Sequence, residues 1–171
     1  MWAGRISMMT DFTGKTAAVT GSSGIGLGAA LHLARSGARV FLAGIDAGLN
    51  DEAAALAAGE GLDMTLHQVD VADEDSVRSW AGQIAGETDV LHALVNAAGR
   101  QTYGTVEDTG PADWDHCMAV NLRSCYLTSH VLYPLLKRQA GRRSCMSRRF
   151  RGTTTRTMSS LMRLPRALSM R

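Results

Sequence analysis

The sequence predicts an α/β domain built on a doubly wound parallel sheet. Short apolar runs alternate with segments of helical spacing, glycines punctuate the joins, and one strand is hydrophobic on both faces, as in a sheet covered by helices on either side. Lys15 to Val19 reads as the first strand. It runs into Gly21, Gly24 and Gly26, followed by Ala29, Ala30, Leu31, Leu33 and Ala34 at helical spacing and a stop at Gly37. Val40 to Ala43 is the second strand, and Leu49 to Ala58 an alanine-rich helix closed by Gly59. Met64 to Val69 is the third strand, and Asp73 to Gly86 a helix whose acidic first turn suits its dipole. Val90 to Val95 is the strand that is apolar on both faces. Pro111 then opens a long helix to His130 or beyond, proline being suited to a first helical turn. Four such strand–helix units in series give the doubly wound order.

Composition agrees with a globular chain. Its 171 residues are 45% hydrophobic and 20% charged, with 18 Gly and three Pro, which excludes bulk disorder, collagen and coiled coil. No apolar run approaches the roughly 20 residues of a membrane span, because Arg35, Arg39 and Asp46 interrupt the richest stretch. Residues 1–8 lack a long apolar core, so a secretory leader is not expected. Cys117, Cys125 and Cys145 make an odd count without metal-ligand spacing, which points to a reducing cytoplasm and to no metal site.

Charge divides the chain. Residues 1–141 hold all 16 Asp and Glu against nine Lys and Arg, a balance of −7, whereas residues 142–171 hold nine Arg and no acid. The expected organisation is an incomplete folded domain over 1–141, with its C-terminal part missing, followed by an Arg-rich tail over 142–171.

The turn Gly21-Ser22-Ser23-Gly24-Ile25-Gly26 lies between a strand and a helix, where glycines let backbone approach an anion and helix N–H groups hold it. A tight connection alone would also use such glycines. Asp70-Val71 ends the third strand, Asn96-Ala97-Ala98-Gly99 ends the fourth, and Asn121 lies in the long helix. Taken singly, Asp70 reads equally as a helix cap, Asn96 as a strand-end turn residue and Asn121 as a solvated helix residue.

In order and spacing, these four motifs together resemble the short-chain dehydrogenase/reductase family, single-domain nicotinamide enzymes with a Rossmann sheet. The resemblance covers residues 12–141. It implies that Gly21 to Gly26 bind a pyrophosphate, that Asp70 and Val71 meet the adenine, and that Asn96, Ala97, Ala98 and Gly99 line the nicotinamide ribose. Asn121 would be the Asn of the family's catalytic tetrad, kinking its helix around a water in a proton relay. The implied partners are a small alcohol or carbonyl substrate and further copies of the chain, with no nucleic acid and no membrane.

Two departures stand out. The family's common turn has three residues between its first two glycines, whereas only Ser22 and Ser23 separate Gly21 from Gly24, which weakens the expected pyrophosphate grip. Gly44 and Ile45 occupy the positions where NAD-preferring members carry an acid and NADP-preferring members often carry Arg. Asp46 is close enough to replace the acid, and no cation is near, so NAD is expected over NADP.

In the family a fifth strand carries the Ser, and Tyr and Lys open the helix beyond it, where Lys lowers the Tyr pKa for proton transfer. No Tyr follows Gly141. Tyr133 and Lys137 have the bare spacing but share the Asn121 helix, where Pro134, Leu135 and Leu136 between them suit a core-facing stripe. Regrouping the tail's codons by one base permits Ser at 148, Tyr at 161 and Lys at 165, which recovers both family spacings. A reading-frame slip near Gly141 to Ser144 would therefore account for the Arg-rich composition. The alternative reading is a non-catalytic nucleotide-binding protein whose basic tail meets nucleic acid or anionic membrane.

Overall fold

In the computed structural model, residues 11–138 apart from 102 and 106 are described. The tail at 142–171, and the reading of it as a separate or out-of-frame segment, lie outside the described residues. The elements run β1 Thr16–Thr20, α1 Gly24–Arg35, β2 Arg39–Gly44, α2 Ala47–Gly59, β3 Met64–Gln68, α3 Glu74–Glu87 and β4 Ala93–Asn96. After β4 come α4 Pro111–Met118, a π-helical turn Ala119–Arg123 and α5 Ser124–Lys137.

Every strand pair is parallel and the spatial order is β3-β2-β1-β4. The chain first builds outward from β1 through β2 to β3, then crosses back to lay β4 on the other flank of β1. The crossover makes β1 and β4 the switch point of the expected doubly wound Rossmann sheet.

Side chains alternate across the sheet with the period of two that extended backbone imposes. Ala17, Val19, Val40 and Leu42 face α1 and α2, where Ala30, Ala34 and Ala53 pack on them. Ala18, Phe41 and Ala43 face the other way, against Val77, Trp80, Ala81 and Ile84 of α3 and Leu132 and Leu135 of α5. Alanine is frequent in the first layer, whereas Phe41, Trp80, Ile84 and Leu132 fill the second.

The helix ends follow local chemistry. Asp73 caps α3, its carboxylate accepting from the backbone N–H of Asp75 and Ser76. Gly37, at φ 91°, takes the chain out of α1, its N–H donating to Ala34 O over 2.9 Å.

Most ends shift by one or two residues, and two elements differ by more. The fourth strand begins at Ala93 rather than Val90, because the preceding residues serve a joint. The Thr16 hydroxyl donates to Val90 O, and Leu91 N donates to Leu135 O over 3.2 Å, which turns this stretch toward α5. The long helix after Pro111 is not uniform either, since the π turn Ala119–Arg123 separates α4 from α5.

Phe41 of β2 is fully buried in the layer under α3. Phe41→Ala is expected to cost about 3–5 kcal/mol in urea unfolding, with the slope of the transition unchanged.

Candidate functional site

The register pairs Thr20 with Asn96 at the last rung of the β1–β4 ladder. Beyond this rung the Thr20 hydroxyl accepts from the N–H groups of Ala97 and Ala98, each at 3.1 Å, and so holds the exit of β4 against the exit of β1. Gly21 lies between them at φ 96°, its N–H donating to Ala43 O of β2 over 2.7 Å. A Cβ on Gly21 would stand 3.1 Å from Ala98 N and 3.2 Å from Ala97 O. Three strand ends therefore converge on one glycine, which supplies both the left-handed backbone and the clearance.

The chain enters α1 through Ser23 and Gly24. A Cβ on Gly26 would overlap Gly21 O and come within 2.8 Å of Thr20 O, so the first turn of α1 rests directly on the strand exit. Gly24, at φ 53°, has nothing within 4 Å of its Cβ position and opens outward. Ser23 makes no side-chain cap, and the first turn of α1 holds no acid. By contrast, α2 and α3 are capped by Asp46 and Asp73. The positive end of α1 thus opens on glycines with neither a side-chain cap nor an acid in its first turn, an arrangement suited to phosphate.

Asn96 is buried, its Oδ1 accepting from the Thr128 hydroxyl over 2.7 Å, while its Nδ2 has no partner among the described residues. Asn121 sits within the π turn, where its Oδ1 accepts from Arg100 N at 2.9 Å and its Nδ2 donates to Arg100 O at 2.7 Å. Widened turns of this kind are frequent at functional sites, and here the turn clasps the loop that leaves β4. A Cβ on Gly99 would lie 3.1 Å from Asn121 Oδ1.

At the end of β3, Asp70 Oδ1 accepts from Ala72 N over 2.8 Å. Asp70 therefore shapes the turn and does not cap α3. Val71 is buried in the layer beneath α3. Arg123 reaches from the π turn to Ala72 O at 3.1 Å, so one element contacts the loops after both β3 and β4. A hydrogen bond from Arg78, with the charges of Arg78 and Arg123, holds the Glu74 carboxyl below its ordinary range.

Asp46, at the end of β2, is exposed and spends Oδ1 on Leu49 N at 2.9 Å. Parallel strands place all these termini on one edge of the sheet. Gly21 to Gly26, Asn96 to Gly99 and Asn121 meet at the switch point, and Asp46, Asp70 and Val71 stand along the same edge.

Tyr133 and Lys137 do not join them. Leu135 and Arg138 contact Leu91 and Asp89, which precede β4, so this end of α5 lies at the opposite edge. Tyr133 and Pro134 are exposed, whereas Leu135 is buried and Leu136 half-buried, so the expected core-facing stripe holds for the two Leu and not for Pro134. Sequence reasoning gave no role to Thr20 or Thr128, the two hydroxyls that hold the strand exits. The one signal was the position of Thr20 immediately before the glycine turn.

Over residues 19–158 the chain matches the family described as Enoyl-(Acyl carrier protein) reductase. The chain belongs to the short-chain dehydrogenase/reductase family. The match continues past the charge boundary at Gly141.

Among relatives of this short-chain dehydrogenase/reductase, D-beta-hydroxybutyrate dehydrogenase of Cupriavidus necator is 37% identical over 130 residues, covering 74% of this chain and 49% of that protein. D-threitol dehydrogenase of Mycolicibacterium smegmatis is 41% identical over 132 residues, covering 73% and 49%. The Pseudomonas aeruginosa RhlG/NADP active-site complex superposes with a TM-score of 0.71 at 32% identity, covering 77% of this chain and 51% of that one. The chain thus spans about half the length of the curated relatives it matches. No helix among the described residues is long and apolar enough to cross a membrane.

Thr128→Val leaves the buried Asn96 carboxamide without its one described partner. The change is expected to cost about 1–3 kcal/mol in chemical denaturation, more than an isosteric swap without a hydroxyl to lose.

Proposed function

We propose that this chain is the dinucleotide-binding half of an oxidoreductase that transfers hydride between a nicotinamide and a small alcohol or carbonyl substrate, with NAD preferred to NADP. The observation that carries the reading is the switch-point edge, where an uncapped helix N-terminus, the close-packed Gly21 and Gly26 and two Asn side chains converge. The nicotinamide, when bound, gives or takes the hydride.

The residues present fit such a ligand. Backbone N–H groups of Ser22, Ser23, Gly24, Ile25 and Gly26 would hold its phosphates, with Gly21 giving the turn its clearance and Gly24 leaving room for close approach. Asp70 and Val71 would border the adenine, and Asn96, Ala97, Ala98 and Gly99 the nicotinamide ribose. Asn121 would serve the proton relay through the widened turn it occupies. Support for NAD comes from Asp46 at the end of β2 and from the lack of Lys or Arg in the glycine turn and at residues 44–46. A ribose hydroxyl can donate to that carboxylate, whereas a 2′-phosphate meets like charge.

The same reading makes the chain inactive as translated. A phenol needs an adjacent ammonium to transfer protons near neutrality, and Tyr133 with Lys137 stands at the wrong edge. We attribute the missing Ser, Tyr and Lys to a reading-frame slip near Gly141 to Ser144. The intact product would work in the cytoplasm as an oligomer. The nine Arg of the tail favour the second reading, a nucleotide-binding protein with a basic tail, and predict salt-dependent DNA or anionic-vesicle binding lost on deleting 142–171.

NADH oxidation against a panel of ketones and aldehydes is expected to show no turnover, and a gene corrected by one base near codon 142 is expected to show it. Robust turnover by the present chain that survives Tyr133→Phe contradicts the reading. Stop codons throughout the alternative frame contradict the slip. By titration calorimetry, NAD is expected to bind weakly and NADP more weakly still; tighter NADP binding overturns the preference.

A further inference from the structure

Gly44 ends β2, and the reason for glycine there is space rather than backbone. Its φ is not positive, unlike those of Gly21, Gly24 and Gly37. A Cβ on Gly44 would overlap Ser22 Oγ and Asn50 Oδ1 and stand 2.6 Å from Ser22 Cβ. Both intruding side chains are buried, Ser22 at 5% exposure and Asn50 at 6%.

The Asn50 carboxamide is oriented by its own hydrogen bond. Nδ2 donates to Gly44 O over 3.0 Å, which turns Oδ1 toward the volume a side chain at 44 would need, and Oδ1 has no partner among the described residues. Ser22 is held from the other direction. Gly21 N is pinned on Ala43 O at 2.7 Å, and Gly26 rests on Gly21 O. With only Ser22 and Ser23 between Gly21 and Gly24, the turn has little slack to lift Ser22 from the end of β2.

We propose that Ser22 and Asn50 form a steric lock that bars any side chain from position 44, so that discrimination between a ribose 2′-hydroxyl and a 2′-phosphate falls to Asp46. The proposal rests on the dinucleotide reading and deepens it. A carboxylate at 44 is excluded twice, because it has no volume and because its charge would face a buried, unpaired carbonyl oxygen. The shortened glycine turn and the glycine at 44 are therefore one structural device. Asp46, two residues on and exposed, is the acid nearest the end of β2.

Thermal unfolding of the full chain tests the lock without any ligand. Gly44→Ala is expected to lower the midpoint by more than about 5 °C, and Gly28→Ala, where nothing lies within 4 Å, to lower it not at all. In a Ser22→Gly/Asn50→Ala background, the Gly44→Ala loss should shrink to about 2 °C or less. Equal losses in the two backgrounds overturn the lock.

Calorimetry with NAD and NADP tests the assignment. Asp46→Asn should narrow the ratio of the two Kd values by about tenfold. Gly44→Asp should leave the ratio unchanged in the native turn and widen it once a Ser is inserted between Ser22 and Ser23. A ratio insensitive to Asp46→Asn overturns the assignment. Failure of the parent chain to bind either nucleotide overturns the dinucleotide reading itself, a result separate from the unfolding series.

Discussion

The closeness of three strand exits around Gly21 is the constraint on which the rest of the edge depends. Parallel strands can end together only if their backbones turn away in different directions, and each turning backbone group needs a partner once it leaves the ladder. Thr20 supplies two of those partners through one hydroxyl oxygen, and Ala43 O supplies a third to Gly21 N. Because these bonds fix where β1 stops, they also fix where α1 starts. Gly26 then lets the helix rest on the strand exit, and the N-terminus of α1 points across the ends of β1 and β4.

Beneath that edge, the two layers divide the work. The layer under α1 and α2 packs Ala30, Ala34 and Ala53 on the strands, and Asn50 of α2 bonds the end of β2. The layer under α3 and α5 is filled by Phe41, Trp80, Ile84 and Leu132, and Leu132 and Leu135 seat α5 on it. From α5 Thr128 meets Asn96, and the π turn reaches both neighbouring loops through Asn121 and Arg123. Packing far from the edge thus decides which polar groups arrive there.

The strands and helices were legible because each pairs an apolar period with a glycine, proline or acidic terminus, and those are local signals. The glycine turn, Asp70, Asn96 and Asn121 were legible as an ordered set, and the parallel sheet then put them on one edge. What the sequence could not carry is tertiary. The loss of Val90 to His92 from β4 depends on Leu91 bonding to α5, and the π turn carries no spacing of its own. The contact of Ser22 with Gly44 and Asn50 joins it to residues more than 20 positions on, and its only trace was a turn one residue short beside a glycine at the end of β2. Tyr133 and Lys137 show the converse, a spacing that matched while the helix carried the pair to the wrong edge.

The central claim is that the edge formed by β1, α1 and β4 is a dinucleotide site. Amide hydrogen exchange of the full chain with and without NAD tests it most directly, because it reads backbone N–H groups individually or in short peptides. The account predicts slowed exchange over residues 21–27 and 97–100, with little change at the Tyr133–Lys137 end of α5. Protection confined to residues 142–171, or none anywhere at saturating NAD, would contradict it.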